Sequence, residues 1–459
     1  MQFQYLLRKV VAYRFAIALA VAATPLSLLS TRPALAACAP LTGVVVPGDT
    51  VVCTTTTNQD APNGYGTGVE NGLTINVLSG ATLTGTDNGL SLDSNNTVNN
   101  AGTITTLAGG LNGILAQGPV TIVNASAGTI SSQGGGSSGI AGPNLLITNF
   151  GTISATGAGS FAIDATFGAA TVTLDNSGTV TGPRAITVGT GNITNRAGGT
   201  IQSTAGVTIS LVDGSIDNAG SITGTTGAIS GQNLTISNTG TITSNGTIAS
   251  VNLDNGTITN AGTIVSTAGG SRAVAIDTNA TLNNSGTIAS NVTNGSAVFV
   301  NNGGFATINN SGSISATSTG GIGVEVDVNA QANITNTGRI VGRTGVFVTG
   351  GAGLGTNLVN AGTIIGTGGT AIDFSASDSN SLTIMAGSRI IGQVLAAPTT
   401  ASSSARAAIS RRCSRSAPAA ASQRRSLADC HTRSAAHRSR CSNRPQSVSP
   451  TETSLLSPG

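Results

Sequence analysis

The sequence predicts an all-β fold: a right-handed parallel β-helix, or solenoid, followed by a disordered C-terminal tail. Three observations carry that prediction. A unit Asn-x-Gly-Thr/Ser-Ile returns along the chain, as in Asn100-Ala101-Gly102-Thr103-Ile104 and Asn260-Ala261-Gly262-Thr263-Ile264. The segments around it alternate apolar and polar residues with the period of two that a strand requires. Composition excludes the common rivals. With 64 glycines in 459 residues, 3% aromatic and 8% charged residues, this is not ordinary globular usage. A hydrophobic content of 39% is too high for a disordered chain, and Gly lacks the period of three that collagen needs.

Charge divides the chain into three segments. Residues 1–36 hold four basic residues and no acid. Residues 37–399 hold 6 Arg, no Lys and 15 acids, a net charge of −9. Residues 400–459 hold 10 Arg and 2 acids, a net charge of +8. The overall charge of +3 therefore describes no part of the molecule.

Residues 1–36 read as a signal peptide. Arg8, Lys9 and Arg14 form a basic start, Phe15 to Leu29 an apolar run too short for a stable span, and Ala34-Leu35-Ala36 a small-x-small cleavage site. Leu35-Ala36-Ala37-Cys38 also reads as a lipobox that would lipidate Cys38. Against that reading, Ser30-Thr31-Arg32-Pro33 separates the box from the apolar run. Export places the chain in an oxidising compartment, where Cys38 and Cys53 can close a small disulfide loop within an N-terminal cap over 37–69.

The β-helix follows over 70–395. Its closing apolar residue falls at Ile104, Ile130, Ile153, Val180, Ile201, Ile222, Ile242, Ile264, Ile288, Ile314, Ile340, Ile364 and Ile390, with gaps of 20 to 27 residues. That period suits one coil of a solenoid. Leu83, in Gly80-Ala81-Thr82-Leu83, reads as an earlier, degenerate turn. Strands such as Leu234-Thr235-Ile236, Leu382-Thr383-Ile384 and Val324-Glu325-Val326-Asp327-Val328 flank the unit. Second short strands follow it at Ala162-Ile163-Asp164, Ala275-Ile276-Asp277 and Ala371-Ile372-Asp373. The closing residue points inward, and Gly takes a turn position with positive φ or close backbone approach. Fourteen coils at about 4.8 Å each make a rod of ~65–70 Å.

Asn stands four residues before the closing residue at Asn100, Asn149, Asn176, Asn218, Asn238, Asn260, Asn284, Asn310, Asn336 and Asn360. Such a column is a polar stripe for a ligand or an internal ladder of amides; a repeated Asn beside a turn Gly favours the ladder. Asn124 and Asn195 stand six residues before theirs, which predicts either bulged coils or turn variation there.

Little chemistry is written into the repeats. Both histidines, His431 and His437, lie in the tail, so no Ser-His-Asp or Cys-His arrangement exists over 37–399. A glycosidase would need clustered carboxylates. Asp164, Asp277 and Asp373 share a motif position in distant coils, and Glu325 with Asp327 is the best local pair, on one face of one strand. No calcium repeat or EF-hand loop occurs. Gly109-Gly110 and Gly134-Gly135-Gly136 have no following helix or Lys to make a phosphate cradle. The sequence thus predicts no enzyme, no catalytic residue, no cofactor and no metal.

Signal peptide, early Cys pair and reiterated Asn-x-Gly-Thr-Ile coils together resemble the passenger of a bacterial autotransporter, a type V secreted protein. The resemblance spans about residues 1–395, and similar coils occur in filamentous adhesins secreted by two partners. It implies Gram-negative export and a secreted β-helical passenger at the cell surface or outer membrane, commonly an adhesin. Its partners would be host or neighbouring-cell surface molecules or glycans, with no nucleic acid and no membrane insertion by this chain itself. That family ends in a membrane β-barrel of alternating, aromatic-flanked strands. Here the last Tyr is Tyr65 and the chain ends Ser457-Pro458-Gly459, so the barrel is expected to be lacking and a periplasmic location becomes an alternative. Two other readings compete: a polysaccharide-active β-helix enzyme, and a non-functional remnant of a truncated autotransporter gene.

After Gly392-Gln393-Val394-Leu395 the composition turns to Arg, Ser, Ala and Pro. Cys413, Cys430, His431, His437 and Cys441 lack metal-site spacing. The abrupt switch is read as translation out of frame from about residue 396, giving a disordered basic tail without function.

Overall fold

The computed structural model describes residues 38–166, 170–268, 272–350, 355–376 and 379–397, and the backbone of short strands at 409–411, 431–434 and 437–440. Residues 1–36, read above as a signal peptide, and most of residues 398–459 lie outside the described residues. The described chain is all β, without a helix, and forms a parallel β-solenoid of about 14 turns.

One coil shows how the sequence builds it. Thr103–Thr106 carries the closing Ile104, Asn112–Ala116 follows a turn, and Val120–Asn124 ends on the ladder Asn. Each strand pairs in parallel with its counterparts one coil before and one coil after, as Val120–Asn124 does with Asn96–Asn100 and Leu145–Asn149. Alternation sets the faces: Thr103, Ile104, Thr105 and Thr106 run half-buried, buried, half-buried, buried. β-Branched side chains suit both sides of such a pleated surface. From Arg184–Asn195 onward several coils run their second and third strands together as one 12-residue strand.

The closing residues stack in a single inward column. Leu83 pairs with Ile104, Ile104 with Ile130, and the register continues to Ile364 and Ile390. From Leu83 to Ile364 every member is fully buried, while Ile390 is partly buried against the core. At about 25 cal/mol per Å² of apolar surface, this column and its neighbours supply the main driving force for coil stacking.

The N-terminal end is closed differently. Cys38–Ala39 runs antiparallel to Thr50–Cys53, with Cys38 opposite Cys53 and the two joined by a disulfide. Parallel pairing already begins at Thr50–Cys53, which lies on Thr74–Val77. Tyr65 is fully buried beneath this cap and donates its hydroxyl proton to the Pro40 carbonyl at 3.2 Å. Glu70 is buried too, and accepts the backbone N–H groups of Thr67, Gly68 and Val69 at 2.8, 2.9 and 3.2 Å. A buried carboxylate is tolerable only with such satisfaction. At the other end, Ile409–Arg411 pairs with Leu382–Ile384, and His431–Ser434 with Val394–Leu395.

Candidate functional site

The Asn column is the longest polar feature, and it is internal. Twelve Asn side chains are linked by eleven consecutive hydrogen bonds of 2.7–2.8 Å, from Asn100 to Asn360, each Nδ2 donating to the Oδ1 of the next coil. From Asn124 on, each Nδ2 also reaches the carbonyl of its own turn Gly, as Asn260 does to Gly262 at 3.3 Å. All twelve are buried, so none presents an amide to a ligand.

Asn124 and Asn195 are full members of the ladder. Spacing alone set them aside, but strand register pairs Asn124 with Asn100 and Asn149, and Asn195 with Asn176 and Asn218. Their two extra residues are absorbed in the turn after Asn; in the turn after Asn195, Gly198 adopts a φ of 85°. Of the two expectations for these coils, turn variation holds and the bulge does not. The column's ends differ: Val77 occupies the position before Asn100, whose Oδ1 is left without a partner, whereas Asn360 donates to the Ser388 hydroxyl.

A second buried column escaped the sequence reading. Two residues after the closing residue stand Ser132, Ser203 and Ser244, whose hydroxyls donate to the carbonyls of Leu111, Gly206 and Ile248 at 2.9, 2.7 and 2.9 Å. These bonds hold the corner after the first strand. The available signal was the small residue recurring at that offset, and it was hidden among many other Ser and Gly residues.

The carboxylates do not converge. Asp164 and Asp373 do share a column, because register runs from Ile163 through Val274 to Ile372. Asp277 does not: Val274, not Ile276, is the residue level with Ile163, so the shared Ala-Ile-Asp motif is out of register by two. Asp277 instead accepts amide protons from Asn252 and Asn301 at 2.9 and 3.0 Å. Glu325 and Asp327 do not share a strand face either. The strand is Ile322–Val326, and Asp327 starts the next turn, accepting the Val328 N–H at 2.7 Å and the Thr349 hydroxyl at 3.2 Å. Glu325 accepts the Ser296 hydroxyl. Among the described residues no three His, Cys, Asp or Glu side chains are grouped to hold a metal.

What faces outward is mostly hydroxyl. The first strand of successive coils presents pairs such as Thr103 and Thr105, Thr152 and Ser154, Thr179 and Thr181, Thr241 and Thr243. A surface cleft of about 480 Å³ lies over the turns around Ser177, Arg196, Asp217 and Thr239. Arg196 beside it makes a two-point ion pair with Asp175, 2.5 Å from Nε and 2.6 Å from Nη2. The cleft lining contains no nucleophile paired with a base.

No family model matches the chain, and no curated protein or solved structure is similar to it. What the described residues establish is therefore architectural: a parallel β-solenoid whose most regular polar residues are spent inside the rod, with a hydroxyl-rich exterior.

Proposed function

We propose that the chain is an exported, elongated passenger of autotransporter type that acts in adhesion or cell-surface interaction. The observation that carries this reading is the use of the repeated residues. In the units from Asn100 to Ile364 the closing apolar residue, Gly and Asn serve stacking, so the repeat extends a rod and exposes its flanks instead of building a pocket. Long flanks of Thr, Ser and Asn would contact a partner over many coils through hydroxyls, amides and turn backbone. Cell fractionation with an antibody raised against the solenoid tests the reading. Surface or released material is the expected result; antigen found only in the cytoplasm overturns it.

The remnant reading is favoured by one specific observation, the change of composition after Leu395. Resequencing the gene and translating the other two frames beyond that codon decides it. A continuing β-helix followed by alternating, aromatic-flanked strands in either frame supports truncation by frameshift. Their absence from both frames makes the basic tail a genuine part of the protein.

A further inference from the structure

Aromatic residues are rare on this rod, yet four of them, Phe299, Phe305, Phe347 and Phe374, fall within four successive coils. Strand register places Phe299, Glu325, Phe347 and Asp373 in one outward column, each one coil from the next. Adjacent members are thus about 4.8 Å apart along the rod. Phe347 is a half-buried ring with a carboxylate on either side. Glu325 and Asp373 are half-buried as well, and among the described residues each uses a single oxygen toward the protein, Glu325 toward Ser296 and Asp373 toward Ser375. Neither forms an ion pair among the described residues.

The same column shows what such a ring accepts. Arg272 lies over Phe299 with its guanidinium carbon 3.6 Å from the ring centroid, and Phe299 is only 5% exposed beneath it. No described guanidinium covers Phe347: Arg343 at the preceding corner lies against Gly368 instead. A ring face attracts a cation through its quadrupole, and flanking carboxylates add negative charge and hydrogen-bond acceptors for a guanidinium.

We propose that Phe347, Glu325 and Asp373 form a docking site for an arginine side chain of a basic partner protein. Charge complementarity selects the partner, since the solenoid segment has a net charge of −9 and two of its carboxylates flank a ring that no described guanidinium covers. The site rests on the interaction-passenger reading for access to a partner, but its chemistry is tested in vitro, independently of where the chain is delivered.

The test measures fluorescence anisotropy of a labelled nonaarginine peptide with the purified full chain. Wild type is expected to bind. F347A should weaken binding about fivefold and E325Q/D373N about tenfold, while D217N/D254N, which removes equal charge elsewhere, leaves it unchanged. Far-UV circular dichroism establishes that each variant keeps the β fold. Equal affinity for wild type and the site variants would reduce the effect to the general field of an acidic rod and overturn the proposal. Absence of binding overturns it, as does binding of a neutral oligosaccharide at this column in place of the peptide.

Discussion

At the residue scale the ladder has a direction, because each Asn between its two ends donates forward and accepts from behind. Removing a central amide breaks two bonds at once. Asn260→Ala takes the acceptor from Asn238 and the donor from Asn284, leaving buried polar atoms on both sides. A cost of about 2–4 kcal/mol is expected from urea unfolding. Asn100→Ala should cost about 1 kcal/mol, since the Asn100 Oδ1 is already unpartnered and the change only moves that end to Asn124. Equal costs at the two positions would mean that the ladder does not act as a chain of bonds. In the adjoining apolar column Ile264 is fully buried between Ile242 and Ile288. Ile264→Asp puts an unpaired carboxylate there and should cost about 4 kcal/mol or melt the neighbouring coils, visible as a lowered Tm.

At the element scale the turn is controlled by close approach and not by unusual dihedrals. Positive φ and close contact were both open for the repeat Gly, and the repeat positions take the second. A Cβ on Gly286 would run into the carbonyl oxygen of Gly262 one coil earlier, and Gly262 stands in the same relation to Gly240. Neither has a positive φ. Gly286→Ala is therefore expected to destabilise by about 2 kcal/mol in denaturant titration, through backbone displacement. Gly136→Ala gives a contrasting case, because its φ is 68° and nothing lies within 4 Å of the added carbon. Its cost, about 1 kcal/mol, comes from conformation alone. The strands themselves were legible in the period-two pattern. Their register was not, because Ala-Ile-Asp recurs at two different levels and local spelling cannot distinguish them.

At the scale of the whole molecule, a solenoid is stabilised by contacts between neighbouring coils, so its ends decide where unfolding starts. The N-terminal end is held by the disulfide, the Glu70 and Asp60 loops and Tyr65. Burial pushes the Tyr65 hydroxyl above the ordinary tyrosine range, and Asp60, Glu70 and Asp49 push it further. The unfolded chain then loses its phenolic proton at lower pH than the folded one. This contribution to stability is complete below about pH 10 and is lost as pH rises beyond it. Tyr65 is the sole tyrosine outside residues 1–36. In protein lacking that segment, tyrosinate absorbance should therefore appear only above the pH of free tyrosine and together with loss of β signal at the cap. Titration like free tyrosine, with circular dichroism unchanged, would contradict the buried cap.

The sequence by itself determined the class of fold, the coil period and the inward column, because a repeated apolar residue between strand-forming segments leaves stacking as its only means of burial. It also named ten of the twelve ladder Asn, since fixed spacing from the closing residue marks a shared level. Tertiary structure alone decided the rest. Asn124 and Asn195 join the ladder because a turn absorbs two residues without shifting the strand that precedes it. Asp277 leaves the level of Asp164 and Asp373 because hydrogen-bonded pairing, not motif likeness, sets which residues lie side by side. The column of Phe299, Glu325, Phe347 and Asp373 spans 75 residues of sequence and no local motif, so only the stacking of coils brings it together.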